Sequence, residues 1–248
     1  MGTNLIEIER MLFRYPAQDG GTNRWSLEID HLAIPRRVVC RIQGGNMVGK
    51  TTLLRILGGL EQVLFSPETK VSGTLLKNSH QRSGVYERLE SRNTCFLSHS
   101  DRMFPELSIW ENVKVARSCG PRKGNEAHQR FRDYIGGLSI LQGATENTPL
   151  GELSSGGQAL IRLARAFTWG AQMVLIDEVT GHLDDASAKT FFQHLRTLVD
   201  GDCSVVLVSH DRRDHELAES LVDDRTRIVV ALIELKDGRS CVTEHFYS

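Results

Sequence analysis

The sequence has almost no excess charge of either sign. Its 248 residues include 30 Lys and Arg against 31 Asp and Glu, which gives a formal net charge of −1. Proteins that bind nucleic acid usually carry a clear excess of positive charge on the binding face. The balance argues against a dedicated DNA- or RNA-binding protein, and we expect no nucleic-acid partner.

Long hydrophobic runs are also missing. The apolar stretch at residues 228–233 has six residues, whereas a membrane-spanning helix needs about 20. The N-terminus lacks the basic segment followed by an apolar segment that marks a secretory signal. We therefore expect a cytoplasmic chain that does not cross a bilayer by itself.

Cysteines are few and scattered. The five positions form no C-x-x-C pair: Cys40, Cys95, Cys119, Cys203 and Cys241. An odd number of widely spaced thiols is typical of a reducing compartment. We expect these cysteines to serve as small buried hydrophobic residues.

Three apolar runs, at residues 38–42, 173–176 and 205–208, predict buried parallel strands. Each is followed by a polar loop and then by a helical pattern, at residues 50–60, 184–199 and 211–221. Such alternation is typical of an open α/β sheet, which binds ligands at the carboxyl ends of its strands. Further strands are predicted at 5–9, 12–15, 25–29, 227–235 and 241–246, and further helices at 108–119 and 125–141.

A glycine-rich segment between the first of these strands and its helix fits the pattern G-x-x-x-x-G-K-[ST] in full. In such loops, backbone N–H groups and the helix N-terminus surround phosphate oxygens. The lysine reaches the β- and γ-phosphates, and the hydroxyl that follows it ligates Mg²⁺. We predict a nucleoside triphosphate site formed by Gly44, Gly45, Asn46, Met47, Val48, Gly49, Lys50, Thr51 and Thr52.

An acidic pair, Asp177 and Glu178, directly follows the second predicted strand. Taken alone, the pair is also compatible with a helix N-cap. Beside a phosphate-binding loop, Asp177 is suited to hold Mg²⁺ directly or through water. Glu178 would then face the γ-phosphate and act as a general base on the attacking water.

Several ordered motifs resemble those of ABC-type ATPases. LSSGG at 153–157, with LARA at 163–166, is similar to the family's LSGGQ signature and the helix that follows it. DEVTGHLD at 177–184 resembles its Walker B and D-loop segment, and VSHD at 208–211 resembles its switch histidine. FPELSIWENV at 104–113 is similar to the segment after its Q-loop, so the resemblance covers essentially the whole chain.

This resemblance implies a P-loop NTPase core with a mainly parallel sheet, an N-terminal antiparallel β subdomain and an inserted helical subdomain. The expected division is a core of 1–98 and 159–248 and a helical subdomain of about 99–158. The family's cofactors would be ATP and Mg²⁺. We expect one ABC ATPase domain that spans residues 1–248.

The resemblance also implies a head-to-tail dimer in which each ATP lies between two subunits. The signature residues Ser154, Ser155, Gly156 and Gly157 would bind the γ-phosphate in trans. Asp184 would bridge the dimer, and His210 would hold the γ-phosphate and the water. Tyr15 is the expected adenine-stacking aromatic, with Phe13 as the alternative.

Four positions depart from the family pattern. His99 stands where a Q-loop glutamine is usual, and it either contacts water or Mg²⁺ or is a passive loop residue. Met47 replaces a small residue, and Val179 replaces a proline. Ser155 replaces the first signature glycine, unless the motif is read one residue later as SGGQ at 155–158.

We therefore expect an ATP-hydrolysing subunit that powers a separate membrane permease. It would pair with a second copy or a paralogous ATPase subunit and attach peripherally to the inner face of the membrane through the permease. Phe104, Leu107, Ile109 and Trp110 either line the groove that receives the permease or simply pack the helical subdomain. Alternatives are a nucleotide-gated regulatory module with little hydrolysis and a soluble ABC ATPase without a transport role.

Overall fold

The computed structural model describes one large sheet, one small sheet and six helices within residues 4–14, 26–64, 69–74, 86–88, 93–98, 103–117, 120–138, 141, 143–221, 227–236 and 239–247. The strands are β1 (Ile6–Phe13), β2 (Ser26–Ile34), β3 (Val38–Gly44), β4 (Gln62–Leu64), β5 (Lys70–Ser72), β6 (Tyr86–Arg88), β7 (Thr94–Ser98), β8 (Met173–Asp177), β9 (Ser204–Val208), β10 (Arg227–Lys236) and β11 (Arg239–Tyr247). The helices are α1 (Lys50–Leu57), α2 (Ile109–Lys114), α3 (Gly124–Gly136), α4 (Ser155–Trp169), α5 (Asp185–Asp200) and α6 (Arg212–Glu219), and a 3₁₀ helix spans Leu150–Glu152.

The large sheet has nine described strands in the order β5-β1-β2-β11-β10-β3-β9-β8-β7. Strands β10, β3, β9, β8 and β7 run parallel to one another, and β11 runs parallel to β2. The pairs β1–β2, β1–β5 and β10–β11 are antiparallel. The sheet thus confirms the predicted fold class of a mainly parallel α/β core with an antiparallel N-terminal part.

The central strands are mainly apolar because both faces of the sheet are covered. Along β8, Val174 and Ile176 belong to the core shared with α4 and α5. The alternate residues Met173 and Leu175 belong to the core shared with α1 and the N-terminal strands. Burial on both sides explains the continuous apolar runs in the sequence.

The cysteines behave as predicted where the structure describes them. Cys40, Cys95 and Cys203 are buried, Cys241 is half-buried, and no disulfide joins these four described cysteines. Cys119 lies outside the described residues.

A polar cluster fixes the loop before α4 to α3. The His128 ring stacks on Trp110 with 4.4 Å between ring centroids. The Glu146 carboxylate accepts hydrogen bonds from Arg132 Nε at 2.8 Å and lies 2.9 Å from His128 Nε2. The hydrogen bond from Arg132, with a smaller contribution from His128, lowers the pKa of Glu146 to about 2.

Several element boundaries differ from the predictions. The strands expected at 5–9 and 12–15 form one strand, β1, in which Arg10 has a φ of 53°. The helix expected at 108–119 is the shorter α2, which begins after Ser108, since the Ser108 hydroxyl accepts a hydrogen bond from the Glu111 N–H. The helix expected at 125–141 ends at Gly136, where a second glycine follows and helix propensity is low.

Helices α2 and α3 lie inside the predicted helical interval of 99–158, and α4 begins inside it and continues beyond it. The division into a core and a helical subdomain stays a prediction. None of the described helices is long and apolar enough to span a membrane.

Candidate nucleotide-binding site

The predicted phosphate loop connects the end of β3 to the start of α1. Gly44 has a φ of +153°, and a Cβ there would lie 2.5 Å from the Ile233 carbonyl oxygen, so only glycine fits. Gly49 forms the N-cap of α1 at a φ of +101°. Met47, at the tip of the loop, has a φ of 60° and is 96% exposed. The loop therefore places the first turn of α1 beside a concave stretch of backbone.

The Lys50 side chain folds back onto the backbone of this loop. Its Nζ donates hydrogen bonds to the carbonyl oxygens of Gly44 at 3.0 Å and Gly45 at 2.6 Å. Burial lowers the pKa of Lys50, while the negative charges of Glu178 and Asp177 oppose that shift. The buried ammonium is thus a positive charge held next to two acidic groups, where it is able to bind phosphate oxygens.

The predicted Mg²⁺ ligands are adjacent. The Thr51 Oγ1 donates a hydrogen bond to the Asp177 Oδ1 at 3.1 Å. Asp177 is the last residue of β8 and is only 8% exposed, whereas Thr51 is exposed in the first turn of α1. A hydroxyl and a carboxylate oxygen are the donor types that Mg²⁺ prefers, so this pair fits a magnesium site.

Glu178 and His210 also meet, although they follow different strands. The Glu178 Oε1 lies 3.1 Å from the His210 Nε2, and both side chains are roughly half-exposed. Glu178 has a φ of 52°, in the left-handed region, and its N–H donates to the Val208 carbonyl oxygen. A non-glycine residue in this conformation is strained, which is common at functional sites.

The predicted dimer residue Asp184 forms the N-cap of α5. Its carboxylate accepts hydrogen bonds from the Ser187 N–H and Ser187 hydroxyl, each at 2.9 Å. These hydrogen bonds lower the pKa of Asp184. The Asp184 carboxylate is therefore negatively charged at neutral pH and lies at the protein surface.

The signature segment forms the start of α4. Ser154 is the N-cap, and its Oγ accepts a hydrogen bond from the Gly157 N–H at 3.1 Å. Ser155 and Gly156 form the first turn, and the Gln158 side chain donates to the Leu153 carbonyl. A Cβ on Gly157 would lie 3.2 Å from Leu141 and 3.3 Å from Leu153, so this glycine permits close packing.

The remaining predicted residues fall into three groups. Gly45 and Asn46 are exposed in the loop, whereas Val48 and Thr52 are buried. Tyr15 and His99 lie outside the described residues. Of the candidates for the permease groove, Phe104 is exposed. Ile109 is fully buried in the core, which fits the alternative that it packs within the domain.

Sequence reasoning missed a buried polar network beside Glu178 and His210. The Asp214 carboxylate is fully buried in the first turn of α6 and accepts hydrogen bonds from the Thr180 and Ser209 hydroxyls. In the sequence, Asp214 stands in a strongly charged segment, RRDHELAE, whose pattern resembles an exposed helix. The network could have been found only by recognising that Asp214 accepts hydrogen bonds from hydroxyls that follow two different strands, and no local sequence pattern indicates this.

Comparison with known proteins gives one family and several relatives. The family model described as "ABC transporter" matches residues 27–181. The lipoprotein-releasing system ATP-binding protein LolD of Chromohalobacter salexigens is 30% identical over 191 residues, which are 75% of this chain and 76% of LolD. The macrolide export ATP-binding/permease protein MacB of Nitrosomonas europaea is 29% identical over 230 residues. That match covers 92% of this chain but only 34% of MacB, so the chain spans about a third of MacB.

Solved structures agree on the fold. The ADP conformation of an ATP-binding cassette of an ABC transporter has a TM-score of 0.67 at 15% identity, covering 98% of this chain and 91% of that chain. The structure of cbiO1 from Clostridium perfringens, part of the ABC transporter complex cbiONQ, also has a TM-score of 0.67, at 18% identity. It covers 98% of this chain and 88% of cbiO1.

Proposed function

This chain belongs to the ABC transporter family of ATP-binding domains, and from that membership we propose that it hydrolyses ATP to power a membrane permease. The observation that carries the proposal is the meeting of two side-chain pairs at one edge of the sheet. The Thr51 Oγ1 lies 3.1 Å from the Asp177 Oδ1, and the Glu178 Oε1 lies 3.1 Å from the His210 Nε2. Sites for the metal and for the reacting water are therefore neighbours.

Binding of the triphosphate depends on the loop between β3 and α1. The N–H groups of the loop and the N-terminus of α1 bind phosphate oxygens, and Lys50 adds a positive charge. Thr51 and Asp177 hold Mg²⁺, which when bound neutralises charge on the phosphates. Tyr15 stacks on the adenine.

Hydrolysis depends on Glu178 and His210. The Glu178 carboxylate accepts a proton from the attacking water, while His210 orients that carboxylate through the 3.1 Å contact. His210 also holds the γ-phosphate. His99 lies outside the described residues, and from the family pattern alone we propose that it contacts the water or Mg²⁺, the alternative being a passive loop residue. The roles of Glu178 and His210 are supported by their contact and by the family pattern.

A second subunit completes the site. Its signature, Ser154 with the N–H groups of Ser155, Gly156 and Gly157, binds the γ-phosphate at the N-terminus of α4. Asp184 bridges the two subunits. The partner is a second copy of this chain or a paralogous ATPase subunit.

The names of two relatives support a permease partner and a location at the membrane. LolD is named as the ATP-binding protein of a lipoprotein-releasing system, and MacB is named as an export ATP-binding/permease protein. We place this chain in the cytoplasm, attached to the inner face of the membrane through a separate permease. No nucleic acid is involved.

The experiment that tests the ATPase compares the wild type with Glu178→Gln, with Glu126→Gln as the control. Glu126 is an exposed residue of α3 that pairs with Arg122. We expect Glu178→Gln to lower the rate of ATP hydrolysis by about 10²–10⁴ because an amide cannot act as a base. The variant should still bind ATP and accumulate as a dimer in size-exclusion chromatography, while Glu126→Gln behaves as wild type.

Two outcomes contradict the proposal. If Glu178→Gln turns over ATP at the wild-type rate, another residue is the base. If the wild type binds ATP and dimerises with negligible turnover, the chain is a nucleotide-gated regulatory module. For the transport role, co-expression with a multi-span protein encoded by a neighbouring reading frame is expected to bring the chain to the membrane fraction and raise its turnover.

A further inference from the structure

Asp214 is a fully buried carboxylate that the proposed mechanism does not use. Its Oδ2 accepts a short hydrogen bond from the Thr180 hydroxyl and a second one from the Ser209 hydroxyl at 2.7 Å. Burying a carboxylate is costly unless its hydrogen bonds compensate for the lost water. A buried charge at this position therefore needs a structural or functional reason.

The two hydroxyls come from the two loops that carry the catalytic pair. Thr180 lies two residues after Glu178, and Ser209 directly precedes His210. The Ser209 Oγ also accepts a hydrogen bond from the Asp211 N–H at 3.0 Å, which fixes the loop after His210. One carboxylate oxygen thus holds the loop after β8 and the loop after β9 in a fixed relation.

Arg213 extends the same connection toward the predicted dimer contact. Its guanidinium donates to the carbonyl oxygens of Thr180 and Leu183, each at 3.0 Å, and to the Asp185 carboxylate at 2.9 Å. Its Nε lies 3.5 Å from the Asp214 Oδ1, so a positive charge faces the buried negative one. The first turn of α6 therefore contacts Thr180 and Leu183, which lie between Glu178 and α5, and the first residue of α5.

We propose that Asp214 is a positioning residue that sets the contact between Glu178 and His210 by joining Thr180 to Ser209. The proposal rests on the ATPase function proposed above. A general base must be held within a fraction of an ångström of its working geometry, and a displacement of about 1 Å costs up to about 10²-fold in rate. The network restrains Glu178 and His210 through the loops that carry them, and it does not contact substrate.

The test removes one hydroxyl at a time and measures kcat and KM for ATP. Thr180→Val keeps the size of the side chain and removes its donor, and Ser209→Ala removes the other donor. The matched control is Thr168→Val in α4, because Thr168 is also fully buried and its hydroxyl has no hydrogen-bond partner among the described residues. Thr180→Ser restores a hydroxyl at position 180.

We expect Thr180→Val and Ser209→Ala to lower kcat about ten- to a hundredfold. The KM for ATP should change less than twofold, because the network does not include the phosphate loop. Thr168→Val should match the wild type, and Thr180→Ser should recover most of the lost rate. Thermal unfolding is measured for every variant, to identify any that fails to fold. If Thr180→Val does not fold, the kcat values of Ser209→Ala and Thr180→Ser test the positioning role.

A double-mutant cycle separates positioning from general damage. In a His210→Ala background the pair is already broken, so adding Thr180→Val should lower the residual kcat by less than twofold. Two results would overturn the inference and leave the ATPase proposal intact. In the first, Thr180→Val lowers kcat by the same factor in the His210→Ala background as in the wild type. In the second, Thr180→Val has the same kcat as Thr168→Val. A wild type without ATP hydrolysis would overturn both.

Discussion

The strained backbone at Glu178, the proposed general base, allows a direct measurement of how much a side chain at this position lowers the free energy of unfolding. Glu178 has a φ of 52°, a conformation that glycine adopts freely and other residues do not. We predict that Glu178→Gly is more stable to unfolding than Glu178→Ala, although glycine usually destabilises ordered structure. Both variants lose the contact with His210, so that term cancels in the comparison.

The magnitude follows from two opposing terms. A residue with a Cβ costs about 1–2 kcal/mol in the left-handed region, and glycine escapes this cost. Glycine in turn loses about 0.5–1 kcal/mol more conformational entropy on folding than alanine. The difference leaves Glu178→Gly about 0.5–1 kcal/mol more stable than Glu178→Ala.

Urea denaturation without nucleotide measures this difference. The control pair is Thr190→Gly and Thr190→Ala in the interior of α5, where the exposed Thr190 hydroxyl donates a hydrogen bond to the Ala186 carbonyl. There the glycine variant should be the less stable one, by about 1 kcal/mol. If the Glu178 pair shows the same sign as the Thr190 pair, the strain at Glu178 is absent and the reasoning is refuted.

Three further predictions concern the loop and the polar cluster. Lys50→Met should raise the Kd for ATP about ten- to a hundredfold, by loss of charge-assisted hydrogen bonds to phosphate, and equal affinity in calorimetry would contradict this. Gly44→Ala should lower the free energy of unfolding by about 2–4 kcal/mol, since its Cβ would lie 2.5 Å from the Ile233 carbonyl oxygen. The matched control Gly45→Ala should lower it far less, because the nearest atom to its Cβ is a Val48 methyl at 3.7 Å. The folded pKa of Glu146 lies below its ordinary 4.5, so its contribution to stability is present above that pH and is lost as the pH falls toward 2. Urea denaturation at pH 7 should therefore show a lower free energy of unfolding for Arg132→Gln than for the wild type, and the difference should disappear as the pH falls toward 2. A difference that persists at that pH would refute the ion pair with Glu146 as its cause.

The parallel half of the sheet was predictable from sequence because its strands are buried on both faces. The runs that became β3, β8 and β9 are continuous and apolar, and each ends at a polar loop. The N-terminal strands were harder, since a half-exposed strand such as β1 includes charged residues. Arg10 and Met11 fell between the two predicted strands, whereas β1 continues through Arg10 with a left-handed φ.

The parts of the candidate site that we propose to bind phosphate and metal were predictable because local motifs carry them. The loop around Lys50 and the acidic pair at Asp177 and Glu178 each lie in a few consecutive residues. The network of Asp214 has no such pattern, because its hydroxyl partners come from the ends of two different strands. Burial of Asp214 depends on how α6 packs, and a charged helical segment gives no sign of that packing.

The strand order has a consequence for how the chain is made. Strands β2 and β3 follow each other in sequence, but the β10–β11 hairpin lies between them in the sheet. During synthesis, the edges of β2 and β3 that face each other stay unpaired until residues 227–247 have left the ribosome. Exposed strand edges pair readily with other chains, and long-range strand pairing is slow. The nascent protein therefore carries two open edges until the β10–β11 hairpin has been made, and this hairpin closes both of them.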